Sequence, residues 1–126
     1  MEPRVAYKDV QIEDNLYRIN KMDARLSCWM FTTLGRRATS SGLLLSALGT
    51  CSREEFNELQ SLALAVVQRM ELRDGVQLPV PILSAAGAVA DKFLADKPDF
   101  LLRLTSESIM LSIAPFLVDD KSNEPQ

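Results

Sequence analysis

The sequence predicts a mainly α fold of the α+β class: a β-hairpin over about residues 5–20, then a compact bundle of about five short-to-medium helices. Three observations predict it. Alternation of apolar and polar residues is confined to the first twenty positions or so. From Ala24 to Ile113 apolar residues instead recur at helical spacing, in blocks separated by Gly, Pro and Ser/Thr clusters. The chain has 126 residues, 47% hydrophobic and 25% charged, enough for one core that needs no metal or disulfide. The expected division is one domain over residues 1–118 and a disordered polar tail over 119–126, where Pro125 is the only residue that is not polar or charged.

In the hairpin, Val5, Tyr7, Val10 and Ile12 alternate imperfectly with polar residues. Glu13-Asp14-Asn15 supplies turn chemistry, and Leu16, Tyr17 and Ile19 continue on the far side. Tyr17 and Ile19 then share one face, with Leu16 and Arg18 on the other. An isolated hairpin is marginal, so it must pack on the helices or pair with another chain.

Asp23 is placed to cap the first helix, in which Ala24, Cys28, Phe31 and Leu34 repeat and Leu26, Trp29 and Met30 widen the apolar face. Gly35-Arg36-Arg37 ends it. Trp29 is expected to anchor the core, although tryptophan is also enriched at partner surfaces. Thr39-Ser40-Ser41-Gly42 forms a loop before a short helix carrying Leu43, Leu44, Leu45 and Leu48 and ending at Gly49. Three adjacent leucines cannot all face one core.

The bundle is expected to be organised around one long helix from Ser52 to Arg73. Ser52 and Glu55 match a capping box. Phe56, Leu59, Leu62, Ala63, Val66, Val67 and Met70 make one apolar stripe, with Leu64 and Leu72 off it. Glutamates at the start and arginines at the end suit the helix dipole, and Asp74-Gly75 reads as its stop. Val76–Pro81 is then an extended connector, and Pro81 opens an Ala/Gly-rich helix whose apolar face is Ile82, Ala85, Ala86, Val89 and Phe93. Asp96-Lys97-Pro98 stops it. The last region reads as two short helices, Phe100–Leu104 and Ile109–Ile113, interrupted by Thr105-Ser106-Glu107-Ser108 and ended by Pro115.

Composition narrows the function. A net charge of −3, with Arg36-Arg37 as the only basic doublet, argues against a nucleic-acid surface. The opening Met1-Glu2-Pro3-Arg4 is not expected to be a signal peptide, and no apolar run approaches the roughly 20 residues of a membrane span. Cys28 and Cys51 have no metal-ligand spacing and read as reduced core residues. The absence of histidine removes the commonest general base and metal ligand. Glu54, Glu55 and Glu58 read as a solvated first helical turn, and Ser106, Ser108 and Ser112 as helix breakers without a base nearby. No catalytic residue, cofactor site or metal site is expected, and the chain is not expected to be an enzyme.

The stretch Leu16-Tyr17-Arg18-Ile19-Asn20-Lys21-Met22-Asp23-Ala24-Arg25 resembles the start of tail assembly chaperones of long-tailed bacteriophages, in which a hairpin strand of Tyr-Arg-Ile type leads into a helix start of Asp/Ser-Ala-Arg type. A leucine-rich short helix, a longer one containing Glu55-Phe56-Asn57-Glu58-Leu59-Gln60-Ser61-Leu62, and a closing segment from Ile109 to Leu117 extend the similarity over about Val10–Val118. Where some relatives carry a histidine-containing stretch, this chain has Leu26-Ser27-Cys28-Trp29. The resemblance implies a non-enzymatic protein that binds the tape measure protein, keeps it soluble and helps recruit tail tube subunits. It implies work in the cytoplasm of a bacterial host and absence from the mature virion.

A chaperone of this kind must offer apolar surface to a client. Leu43, Leu44, Leu45, Leu64, Leu72, Leu101 and Leu102 are the candidates for that surface, toward a client or a second copy of the chain. A generic helical adaptor, a small chaperone or antirepressor with another client, uses the same surface and is the alternative.

Overall fold

The computed structural model of the chain describes residues 7–34 and 41–122, the side chains of 41–43 and 117–122 apart. In order the elements are β1 (Tyr7–Ile12), β2 (Asn15–Asn20), α1 (Ala24–Leu34), α2 (Ser41–Gly49), α3 (Arg53–Leu64), β3 (Val67–Arg73), β4 (Val76–Pro81) and α4 (Pro98–Ser122). The expected starts at Met1 and Val5, the Gly35-Arg36-Arg37 stop and the Thr39-Ser40 loop lie outside the described residues.

The five-helix bundle is overturned. The described residues form a four-stranded antiparallel sheet in the order β1-β2-β3-β4, with four helices. The N-terminal hairpin stands as expected: Val10 lies opposite Tyr17, and Tyr17 and Ile19 are buried on one face. Two helix starts also follow the local signals. Leu26 N–H donates to Asp23 Oδ1 at 2.9 Å. Glu55 N–H donates to Ser52 Oγ, and Ser52 N–H to Glu55 Oε1, each at 3.1 Å.

The expected helix from Ser52 to Arg73 splits in two. Its first half is α3; its second half is β3. The change falls at Val66, whose carbonyl accepts both the backbone N–H of Asn20 at 2.9 Å and its side-chain amide at 3.2 Å. Val67 then pairs opposite Ile19 and Leu16 opposite Met70. Asp74-Gly75 is a hairpin turn, not a helix stop. Both residues are left-handed, at φ 52° and 79°, the geometry that matches the twist of paired strands. β4 follows as an edge strand, which tolerates Pro79 and Pro81.

The expected helix after Pro81 is absent too. Residues 82–90 double back instead: Ala90 N–H donates to Ile82 O, Ser84 N–H to Ala88 O and Gly87 N–H to Ser84 O, with Leu83 bridged to Val89. Gly87, at φ 85°, supplies the left-handed residue of this turn.

The last two short helices are one, α4, which contains Pro115 and runs to Ser122, four residues into the expected tail; residues 123–126 lie outside the described part. Thr105, Ser108 and Ser112 do not break it because their hydroxyls are used. Thr105 Oγ1 donates to Leu101 O at 2.8 Å, Ser108 Oγ donates to Ala63 O at 2.7 Å, and Ser112 Oγ accepts Met22 N–H at 3.3 Å. α4 lies between two cores. Leu104 joins Val10, Ile12, Tyr17, Ile19 and Val67 on the sheet side. Ile109 and Ile113 join Met30, Leu34, Leu44, Leu48 and Leu59 among the helices.

Candidate protein-binding surface

The predicted leucines divide sharply. Leu44 is fully buried among the helices, and Leu64 is buried on the sheet side of the core. Leu101 is half-buried against that same sheet-side core. Leu44 and Leu64 are closed to a partner by their burial, whereas Leu101 packs on the core and keeps part of its surface. The side chain of Leu43 lies outside the described residues. Leu45, Leu72 and Leu102 remain.

α2 and α4 bring two of them to one place. Leu44, Ala47 and Leu48 turn the buried side of α2 inward, which leaves Leu45 44% exposed on the outside. Leu102 is half-buried on α4, one residue after Leu101 and two before the buried Leu104, and it belongs to neither core. The two side chains meet along an apolar groove that continues in both directions. Toward the start of α3 it is lined by Leu48 and Phe56 and rimmed by Arg53. Toward the middle of α4 it becomes a cleft of about 330 Å³ bordered by Asp99, Arg103, Ser106 and Glu107.

Ser106 stands out in this cleft. Its residue is 9% exposed, and its hydroxyl has no hydrogen-bond partner among the described residues, whereas its neighbours Thr105 and Ser108 are both bonded. A buried hydroxyl without a partner is costly. The sequence showed Ser106 only as a helix breaker and Phe56 only as part of a core stripe. The groove needs α2, α3 and α4 together, and no local spacing announces it.

Leu72 belongs to a second apolar surface. It is 68% exposed near the tip of the β3–β4 hairpin, where Val76 and Leu78 are exposed as well. Trp29, expected in the core, is 38% exposed on α1.

A polar cluster lies under the far end of the sheet. Asp91 is almost wholly buried, accepts Arg69 Nε at 3.0 Å and Phe93 N–H at 2.8 Å, and stands beside the phenol of Tyr17. Burial, followed by the Asp91 charge, pushes the Tyr17 phenol well above its ordinary range and keeps its proton on. The cluster is closed, and no reactive group in it is presented to a cleft. Glu54, Glu55 and Glu58 are exposed, and Glu55 is engaged in the cap of α3. Among the described residues no three His, Cys, Asp or Glu side chains are placed to share a metal ion, and no helix is long and apolar enough to cross a membrane.

No family model, curated protein or solved structure matches the chain.

Proposed function

We propose that this protein is a tail assembly chaperone of a long-tailed bacteriophage, which binds the tape measure protein through the α2–α4 groove, keeps it soluble and helps to recruit tail tube subunits. One observation carries the binding part: the exposed Leu45 and the half-buried Leu102 share a groove lined also by Ser106, whose hydroxyl is buried without a partner among the described residues. An apolar trough with one buried polar group suits a helical client segment that seats leucine-sized side chains and offers one hydrogen bond. The choice of client rests on the likeness of residues 16–25 to the start of such chaperones. Action in the host cytoplasm before the tail tube closes is part of the same proposal.

The test is co-expression with the tape measure protein of the same genome. Wild-type protein is expected to raise client solubility and to co-purify with it. Leu45→Asp combined with Leu102→Asp is expected to abolish both effects without loss of the fold, because neither side chain is in a core. Client behaviour that is the same with and without the wild-type chain sinks the proposal. A client retained by the double variant moves the binding surface elsewhere.

A further inference from the structure

The two edges of the sheet are built differently. In a hairpin closed by a two-residue turn, the pair flanking the turn exchanges backbone hydrogen bonds, and so does every second pair beyond it. In the β3–β4 hairpin these pairs are Arg73 with Val76, Glu71 with Leu78 and Arg69 with Val80. Gln77, Pro79 and Pro81 therefore turn their backbone groups away from β3. Both prolines lack the N–H that another strand requires, so β4 is closed to strand addition along most of its length.

β1 has no such device. Its bonded pairs with β2 are Ile12 with Asn15, Val10 with Tyr17 and Lys8 with Ile19. Tyr7, Asp9 and Gln11 point their N–H and C=O groups outward, and among the described residues nothing bonds to them. Charged side chains often guard an edge. Here both charges of β1 are engaged within the chain. Lys8 pairs with Glu107 of α4, and Asp9 takes Arg18 Nε at 2.9 Å and Nη2 at 3.1 Å, with the Arg18 guanidinium stacked 4.2 Å from the Tyr7 ring.

We propose that β1 pairs antiparallel with β1 of a second copy of the chain, joining two sheets into one across a two-fold axis, with Asp9 of each copy opposite Gln11 of the other. The side chains of β1 are compatible with a second copy and select the register. Two-fold pairing centred on Lys8 sets the two lysines against each other. Pairing centred on Asp9 sets the two carboxylates against each other. Pairing centred on Val10 sets Val10 against Val10, Lys8 against the aliphatic Ile12, and each Asp9 against the neutral carboxamide of Gln11. This register faces no like charges across the axis, and Asp9 and Gln11 exchange backbone bonds in both directions. Self-pairing at β1 uses none of the groove residues and stands apart from client binding.

Sedimentation equilibrium from micromolar to submillimolar concentration tests it, on the wild type and on Gln11→Pro, Gln11→Glu and Gln11→Lys. The wild type is expected to dimerise reversibly. Gln11→Pro gives β1 the outward proline that β4 already has, leaves the β1–β2 bonds intact and is expected to be monomeric with an unchanged far-ultraviolet spectrum. Gln11→Lys, facing Asp9 of the other copy, is expected to tighten the dimer by about fivefold, and Gln11→Glu to weaken it by about as much. If Gln11→Pro does not fold, the opposite responses of the Lys and Glu variants decide. A wild type that is monomeric throughout overturns the proposal. So does a dimer indifferent to all three changes, and so does an edge whose Asp9 and Gln11 amides gain exchange protection only when a client is added.

Discussion

Arg69 Nε donates to Asp91 Oδ2 at 3.0 Å, and this pair fastens the irregular stretch after β4 to the third strand. The Asp91 side chain is 1% exposed, and the Arg69 guanidinium also lies over the Phe93 ring at 5.1 Å. Among the described residues, removing the carboxylate leaves Arg69 with Glu71 at 3.8 Å as its one ion-pair partner. Asp91→Ala is expected to destabilise the fold by about 3 kcal/mol, measured by urea denaturation at neutral pH. Loosening of residues 82–97 should appear first as faster amide exchange at Ala90 and Ala95, whose N–H groups are bonded in that stretch.

Tyr17 ties the same cluster to alkaline stability. Its phenol is raised above its unfolded value, by burial and then by Asp91. A group raised on folding contributes its stabilisation fully below the unfolded pKa of about 10 and loses it as pH climbs through the folded value. The protein is therefore expected to lose stability above about pH 10. Tyr17→Phe removes the titrating group together with a hydroxyl that has no bonded partner. It is expected to change neutral-pH stability by less than about 1 kcal/mol and to move the alkaline unfolding midpoint upward. Denaturation at neutral and alkaline pH checks both signs.

Neighbouring serines of α4 are expected to respond in opposite directions. Ser108 Oγ donates to Ala63 O at 2.7 Å, which satisfies a carbonyl in the last turn of α3. Ser108→Ala should cost about 1–3 kcal/mol. Ser106→Ala removes a buried hydroxyl that is unbonded, and it is expected to be neutral or mildly stabilising in thermal melts. The same change should weaken client binding if the groove is the site.

The leucines separate stability from binding. Leu44→Ala opens a cavity in the helical core and is expected to cost about 2–5 kcal/mol. Leu72→Ser, on the exposed hairpin tip, should stay within about 0.5 kcal/mol of wild type. Equal destabilisation by the two changes, in parallel urea titrations, would contradict the burial found here.

Signals carried within a few residues proved legible. Ser52 and Glu55 made their capping box, Asp23 capped α1, and Glu13-Asp14 closed the first hairpin in the expected facing of Tyr17 and Ile19. Each depends on groups one turn or one strand pair apart. Part of the groove was legible in the same way, since three consecutive leucines force at least one outward, and Leu45 is the outward one of the pair whose side chains are described.

Tertiary pairing settled the rest. The run from Val66 to Arg73 satisfies a helical stripe and a strand equally well, and Asp-Gly serves a helix end as readily as a hairpin. The choice was made by Asn20, which claims the Val66 carbonyl across β2, 46 residues away. Likewise the hydroxyls of Ser108 and Ser112 find Ala63 and Met22, and Thr105, bonded to Leu101 in its own helix, also accepts from Gln60. By itself the sequence determined where local caps and the first turn lie. Which segments became strands, and which leucines stayed outside, waited on backbone and hydroxyl partners that only the folded chain brings near, because a strand, unlike a helix, finds its hydrogen bonds in a distant part of the chain.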